Sequence, residues 1–518
     1  MKKIFNIFLL TSMILVITSC DSGFDELNVN KTASLSLDPV LVLNGAVVNS
    51  SPGGTNLSSS TTGLTYENAI VQHMISSNTG VLVGGNFNQI NISNTPLTWI
   101  NYYQFVIKFT NDVITRTQDD DTRSNLYNMA RIVQANAFMV LSDTYGSIPY
   151  FEAGKGNTEK LLFPAYESQE TVYNEIISEL KEASDALDAA KKIESSDVLF
   201  AGNIAKWKKF GYSLLLRAGM HLSKVNPALA ESTVSDAFDG GVVLANADNV
   251  SIKHDANYQN GVGNTVNGTE AANFYLAAPF VNALKSTDDP RLSAIAVRYV
   301  GATSGTGHTA AAADTIPADQ VGMPMGSDDA AAQAAAVTAG IGSRYAFSQA
   351  DRNRVLKRTS PAFIVTASQC NLLLAEAARR GWIAGGDAAA ANYFTAGIKA
   401  HIDQMASYDV ASTIFPTNRD NYANANPLDV TTLDASLEQI NYQYWIASFL
   451  IGSEAWANLR RSGYPVLTPN PYPGKVVDVI TRITYPPSEI LVNNANVSVA
   501  ITDMGGNDLD TRVWWDKE

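Results

Sequence analysis

The chain has 518 residues, 46% hydrophobic and 17% charged, values that suit a folded globular protein with a sizeable core. Fifty acidic against 36 basic residues give a formal charge of −14. A body this acidic is repelled by phosphate backbones and anionic lipid, which argues against nucleic acid and polybasic membrane docking as partners.

Lys2 and Lys3 precede a mostly apolar run, Ile4–Ile17. A bilayer-spanning helix needs about 20 apolar residues, so the run suits the h-region of an export signal better than a membrane span. It closes on Ile17-Thr18-Ser19-Cys20, where Ile17 fits an ordinary signal-peptidase site poorly. Apolar, small, small, Cys resembles a bacterial lipobox. That resemblance implies residues 1–19 as a signal peptide and a lipidated Cys20 as the mature N-terminus. Acyl chains bury about 0.8 kcal/mol per methylene, and two or more give stable anchoring. The alternative is a secreted protein in which Cys20 is incidental. With Cys20 lipidated, Cys370 has no intramolecular partner; in the apolar run Phe363–Ala378 it reads as a small buried hydrophobe.

Residues 20–39 are polar, rich in Asn, Ser and Asp, and read as a tether to a single body over 40–518. Helical spacing then dominates. Leu126, Met129, Val133, Ala137 and Leu141 define one helix that stops before Gly146. Ser168 caps a second, with Val172, Ile176, Leu180, Ala183 and Leu187 on its apolar face. A third carries Ile204, Trp207, Phe210, Leu214, Ala218 and Leu222, ending ahead of Asn226-Pro227. Further helices are expected at Phe363–Arg380, Ala388–Met405 and Leu437 to about Arg461. Strand-like pieces are short: Val242–Leu244, Val250–Lys253, Val479–Thr484 and Arg512–Trp515. Helical blocks at about 98–224 and 362–462 thus bracket a loop-rich segment, 255–345, in which Gly301–Ser343 is nearly low-complexity. The expected fold is mainly α, a scaffold of helix pairs suited to a tetratricopeptide-like stack, with long irregular loops. Loops on a rigid frame are where binding sits.

Catalytic signatures are missing: no Gly-x-Ser-x-Gly elbow, Walker loop or His-Glu-x-x-His occurs. The five histidines are scattered without ligand spacing. Ser178–Lys181 forms a Ser-x-x-Lys, but mid-helix and without its companion motifs. Asp119-Asp120-Asp121 suits a helix N-terminus. Asp503, Asn507, Asp508 and Asp510 could loosely surround calcium, yet their spacing departs from an EF-hand, so an ordinary turn is expected and no cofactor.

Several stretches, in order, resemble the SusD/RagB family of nutrient-binding outer-membrane lipoproteins, most closely its SusD-like second branch. They are Phe24–Asn30; Ala135–Tyr150, reading ANAFMVLSDTYGSIPY; Lys206–Phe210 with Ser213–Arg217; Asp289–Leu292; Glu376–Trp382; Glu454–Pro465; Arg482–Pro486; and Val513–Asp516. The motifs themselves read as structural: Tyr145-Gly146 is a helix stop with glycine as a left-handed cap, Pro149 prevents resumption, and Trp207, Trp456 and Trp514 are core anchors. The resemblance implies a non-enzymatic, lipid-anchored receptor on the extracellular side of the outer membrane, beside a SusC-like TonB-dependent transporter. Lys31, in place of an expected proline, and the alanine-rich Gly301–Ser343 segment depart from the family pattern.

The favoured function is capture of an oligosaccharide, or alternatively a peptide, for delivery to that transporter. Sugars lay C–H faces on aromatic rings and give hydroxyls to Asn, Asp, Gln and Arg. Candidate contacts are therefore aromatics in polar, irregular segments: Tyr258 with Asn257 and Asn260, Tyr275, Tyr345 with Arg344, and Trp99 after the Asn-rich stretch Gly84–Asn94. A surface hydrolase and a structural or adhesion module are the competing readings.

Overall fold

The computed structural model describes residues 37–50, 61–156 and 159–517, so the lipobox and most of the tether lie outside the described residues. Pro39–Glu518 forms one compact unit. Its helices start where capping chemistry appears. The first, α1 (Pro39–Asn49), precedes a continuous helical run, Leu97–Thr117, whose last part is α2 (Lys108–Thr117). The 22-residue α3 (Ser124–Tyr145) ends at Gly146. There φ is +84° and ψ −120°, a glycine-only conformation but not the left-handed helical cap expected, and a Cβ would meet Met504 Sδ at 2.5 Å.

Ser168 Oγ accepts the Thr171 amide and starts α4 (Gln169–Ala186); Asn203 caps α5 (Ile204–His221) in the same way through the Lys206 amide. Asn226, with Pro227 behind it, starts α6 (Pro227–Gly240). These helices pack successively, α3 on α4, α4 on α5 and α5 on α6, which is the stacked-pair architecture the spacing predicts. The Asp119–Asp121 run is smaller in effect: Asp120 caps a single turn, Asp121–Arg123, that leads into α3.

The middle segment carries α7 (Ala278–Ser286) and short two- to four-residue strands. Two corrections arise here. Gly301–Ser343 is not wholly irregular, because Asp328 accepts the Ala331 amide and starts α8 (Asp329–Thr338) through the alanine run. Of the four expected strands only one forms, β2 (Val250–Ile252). In the others the backbone finds scattered partners: the Val243 amide bonds Ser213 Oγ, those of Thr481 and Arg482 bond the Leu509 carbonyl, and that of Ile483 bonds Thr144.

The second helical block begins later than expected. Phe363 lies in the strand Ala362–Val365, paired antiparallel with Val250–Ile252. Thr366 and Gln369 then form a reciprocal capping box that sets the start of α9 (Ala367–Arg380). Next come α10 (Gly386–Gln404), α11 (Leu433–Ala447) and α12 (Gly452–Ser462). The last two replace the single helix expected from Leu437, broken where Leu450 takes φ +69°. A C-terminal helix, α13 (Asn494–Met504), precedes the final segment. One apolar core runs through both helical blocks and contains Cys370, Trp207 and Trp456 fully buried; Trp514 is half-buried at its edge. No described helix is long and apolar enough to cross a membrane.

Candidate functional site

The loop-rich middle segment is organised by two small sheets. β1 (Met74–Ile75) pairs antiparallel with β3 (Tyr275–Leu276), setting Ile75 opposite Tyr275. β4 (Ala296–Tyr299) is the centre of a three-stranded sheet, between β5 (Ala313–Asp314) and β6 (Gln349–Ala350). Alternation along β4 puts Val297 and Tyr299 on one face, where with Ala302 they form a separate apolar cluster packed by Ala312 and Tyr345.

On that face His308 stacks on Tyr299, ring centroids 4.6 Å apart at 18°. His308 Nε2 lies 2.8 Å from the Tyr345 carbonyl, so it carries the proton and donates. Burial lowers the imidazole pKa, and the ring is neutral near pH 7. The Arg344 guanidinium lies 4.5 Å from the centre of the Tyr345 ring and donates through Nη2 to the Tyr345 hydroxyl at 3.0 Å. Its Nη1 donates to Ser77 Oγ at 3.1 Å and pairs with Asp329 Oδ1 at 2.8 Å. Ser77 Oγ in turn donates to the same carboxylate oxygen at 2.6 Å. Arg352 approaches the Tyr299 ring at 5.6 Å. Two layered stacks, Arg344 on Tyr345 and His308 on Tyr299, therefore share one ridge, in which Arg344, Tyr345, His308 and Asp329 reach the surface while Tyr299 and Ser77 are buried beneath them.

Tyr275 belongs to this neighbourhood but serves it from below. It is fully buried, and its hydroxyl donates to the Ala272 carbonyl at 2.7 Å. Burial raises its pKa, opposed by the nearby Arg344 charge. The structure thus brings Tyr275, Arg344 and Tyr345 together.

The other expected contacts lie elsewhere in the chain's architecture. Asn257 is exposed and Tyr258 half-buried, and both amides bond Asp255 Oδ1 in one turn. Tyr258 stacks on His254 with centroids 5.2 Å apart. Asn260 is buried, caps a short helix through the Gly263 amide and donates to the Ser360 carbonyl. Trp99 is buried among the rings of Tyr103, Tyr145, Tyr166 and Tyr485, which leaves its faces to packing.

Sequence reasoning missed Tyr299, His308, Ser77, Asp329 and Arg352. The alternation of Val297 and Tyr299 was a legible strand signal; His308 in a Gly- and Ala-rich stretch carried none. The Asn-rich stretch also has a different role from the one its composition suggests. Asn86 donates to the Ser76 and Ser327 carbonyls and accepts from the Gly326 amide, stapling the loop that carries Ser77 to the segment that leads into Asp329. Among the described residues no group of three or more His, Cys, Asp or Glu is placed to hold a metal ion. Asn507 Oδ1, one of the loose calcium donors, accepts from Arg482 Nη2 and the Tyr485 amide instead.

Residues 39–486 match the family model described as "Starch-binding associating with outer membrane". Among solved structures, a chitin-binding protein superposes with a TM-score of 0.80 at 31% identity, covering 93% of this chain and all of its own. A Bacteroidetes SusD-like protein, AC2a, gives 0.79 at 26% identity, with the same coverage. A chitin-binding SusD homolog from Flavobacterium johnsoniae gives 0.74 at 24%, covering 93% and 99%. Among curated proteins nothing matches.

Proposed function

The chain belongs to the SusD-like family whose members are described as starch-binding and outer-membrane-associated, and from that premise we propose that it captures an oligosaccharide at the cell surface without cleaving it. The observation that carries this reading is the ridge in which Arg344 on Tyr345 and His308 on Tyr299 stand beside Ser77 and Asp329. Aromatic faces suit sugar C–H groups, while the guanidinium, carboxylate and hydroxyl suit sugar hydroxyls. Tyr345 and Arg344 are the proposed contacts and Tyr275 backs them from the core, while Asn260 caps a short helix elsewhere and Tyr258 with Asn257 forms a second aromatic–amide turn. The 31%-identical chitin-binding structure favours N-acetylglucosamine oligomers over starch oligomers as the first glycan to test. Handover to a SusC-like TonB-dependent transporter, from a lipid anchor at Cys20 in the outer membrane, completes the proposed role.

Calorimetric titration with chito-, malto- and short peptide oligomers tests it. Chito-oligomers are expected to bind, and Tyr345→Ala and Arg344→Ala each to weaken them about tenfold, in line with about 0.5–1.5 kcal/mol for an aromatic contact and about 1.5–3 kcal/mol for a hydrogen bond to a charged group. Binding of peptides alone, or glycan affinity indifferent to both substitutions, would overturn the reading.

A further inference from the structure

Away from that ridge, helix α12, the segment 463–481 and the chain's C-terminal residues enclose a cavity of about 610 Å³. That volume lies in the range of small-ligand sites, about 300–1,000 Å³. Its walls are largely apolar, with Ile70, Met325, Leu459, Pro465 and Ile480 among them, and Val466 stands 84% exposed at the lining.

Two hydrogen-bond donors of its floor lack partners among the described residues: Trp456 Nε1 and Arg460 Nη2. They sit one helical turn apart on α12 and are buried. The Arg460 guanidinium lies over two indoles, its carbon 4.0 Å from the centre of the Trp456 ring and 4.7 Å from that of Trp515. Its Nη1 is spent on the Asp143 and Thr481 carbonyls, both at 2.8 Å. A planar fork fixed in this way, with one arm free, is pre-organised for an oxyanion. Native proteins leave few buried polar atoms unpaired. Gln72 Oε1 and Asp516 Oδ2, which belong to lining residues too, are unpartnered acceptors.

Charge selects further. The described lining holds five cations and two carboxylates in a chain of net charge −14. Lys475 pairs with Asp478, and Arg512 with Asp516, each at 2.9 Å. Among the described residues no carboxylate hydrogen-bonds Lys224 or Arg460; Lys224 Nζ donates only to the Lys517 carbonyl, at 3.0 Å.

We propose that this cavity is a second binding site, for a small organic carboxylate carried on an apolar body, seated between Arg460, Trp456 and Lys224 with its body against Val466 and Met325. None of its lining residues is one of the ridge residues Arg344, Tyr345, His308, Tyr299, Ser77 and Asp329. An N–H in the ligand would additionally meet Gln72 Oε1, so an N-acylated dipeptide acid is expected to bind more tightly than a fatty acid.

Calorimetry on the full chain with octanoate and N-acetyl-Leu-Leu acid tests this, with octanol and the dipeptide amide as neutral counterparts. The acids are expected to bind and the neutral forms to bind at least tenfold more weakly. Lys224→Glu and the rim substitution Val466→Asp, neither of which removes a core side chain, are each expected to weaken the acids at least tenfold while chito-oligomer titrations stay unchanged. The dipeptide and octanoate arms separate a peptide C-terminus from an acyl acid as the source of the group. Equal binding of acid and neutral forms overturns the proposal. So does no heat at millimolar acid, indifference to both substitutions, or binding seen only after deletion of the terminal Glu518. Loss of glycan binding in Tyr345→Ala with acid binding intact would show the two sites failing separately.

Discussion

At the scale of single residues, the most consequential buried groups are carboxylates that fasten helices of the second block to one another and to α5. Glu376 on α9 is fully buried and receives Arg461 Nη1 and Nη2 at 2.8 and 2.9 Å and Arg380 Nε at 2.9 Å. Burial alone would raise its pKa, but the guanidiniums of Arg461 and Arg380 outweigh that and hold it down at about 2. Glu454 on α12 behaves alike, at about 2, through Arg217 and His221 against the same burial penalty. Because both folded values lie below the usual 4.5, each carboxylate contributes stability above that pH, and the contribution disappears as pH falls from about 4.5 toward 2. Glu67 has the opposite sign: burial raises it to about 7, so its proton favours the folded state at low pH and that benefit fades between about 4.5 and 7. Glu376→Gln leaves Arg461 buried and short of a counter-charge, and the expected loss is about 3–5 kcal/mol, the usual penalty for breaking a buried pair. Urea denaturation at pH 7 checks it; the gap between wild type and variant should narrow toward pH 3. A gap that stays constant across that range would contradict the assigned protonation states.

Between residues and the whole, elements are set by their ends. The apolar run by itself puts the start of α9 too early, because Phe363 and Val365 have the burial of helix residues and the ladder of a strand. What separates strand from helix is Thr366, whose Oγ1 accepts the Gln369 amide while Gln369 Oε1 accepts the Thr366 amide. Gln369 Nε2 then reaches Ser448 Oγ, at the break between α11 and α12, and Arg217 Nη2 reaches Gln369 Oε1. A cap that was local in sequence thus fastens three helices. Thr366→Val keeps the shape and removes the acceptor, and the expected cost is about 1–2 kcal/mol, at the upper end for a helix cap because the site is fully buried. Thermal melts of the two proteins measure it, and an unchanged midpoint would remove the cap from this role. In sequence the Ser448–Ile451 break is marked only by Gly452 behind it, and the positive φ falls instead on Leu450, where no local pattern points to it.

For the molecule as a whole, the acidic surface and the proposed lipid anchor act together. A chain of net charge −14 is repelled by anionic membranes, so the proposed attachment rests on the chain end rather than on the surface charge. Cys20→Ser is therefore expected to move the protein from the outer-membrane fraction to soluble fractions without changing its melting temperature or chito-oligomer affinity. Fractionation followed by immunoblotting reads the first, and calorimetry the second. Retention of the variant in the outer membrane would end the anchor reading.

Periodicity and capping residues determined the scaffold: the faces of α3, α4 and α5, the Ser168 cap, and the stacking of consecutive helices are local consequences of i to i+4 spacing. The family resemblance rested on such local motifs too, and it holds over residues 39–486. Tertiary structure alone decided which loop residues meet. Arg344 and Tyr345 were legible as a polar–aromatic pair, but Ser77, Tyr299 and His308 join them from segments more than 30 residues away. Asn86 and the short β4 sheet bring those segments together. Helix faces follow from neighbours in sequence; a binding ridge follows from long-range hydrogen bonds, whose partners no local pattern encodes.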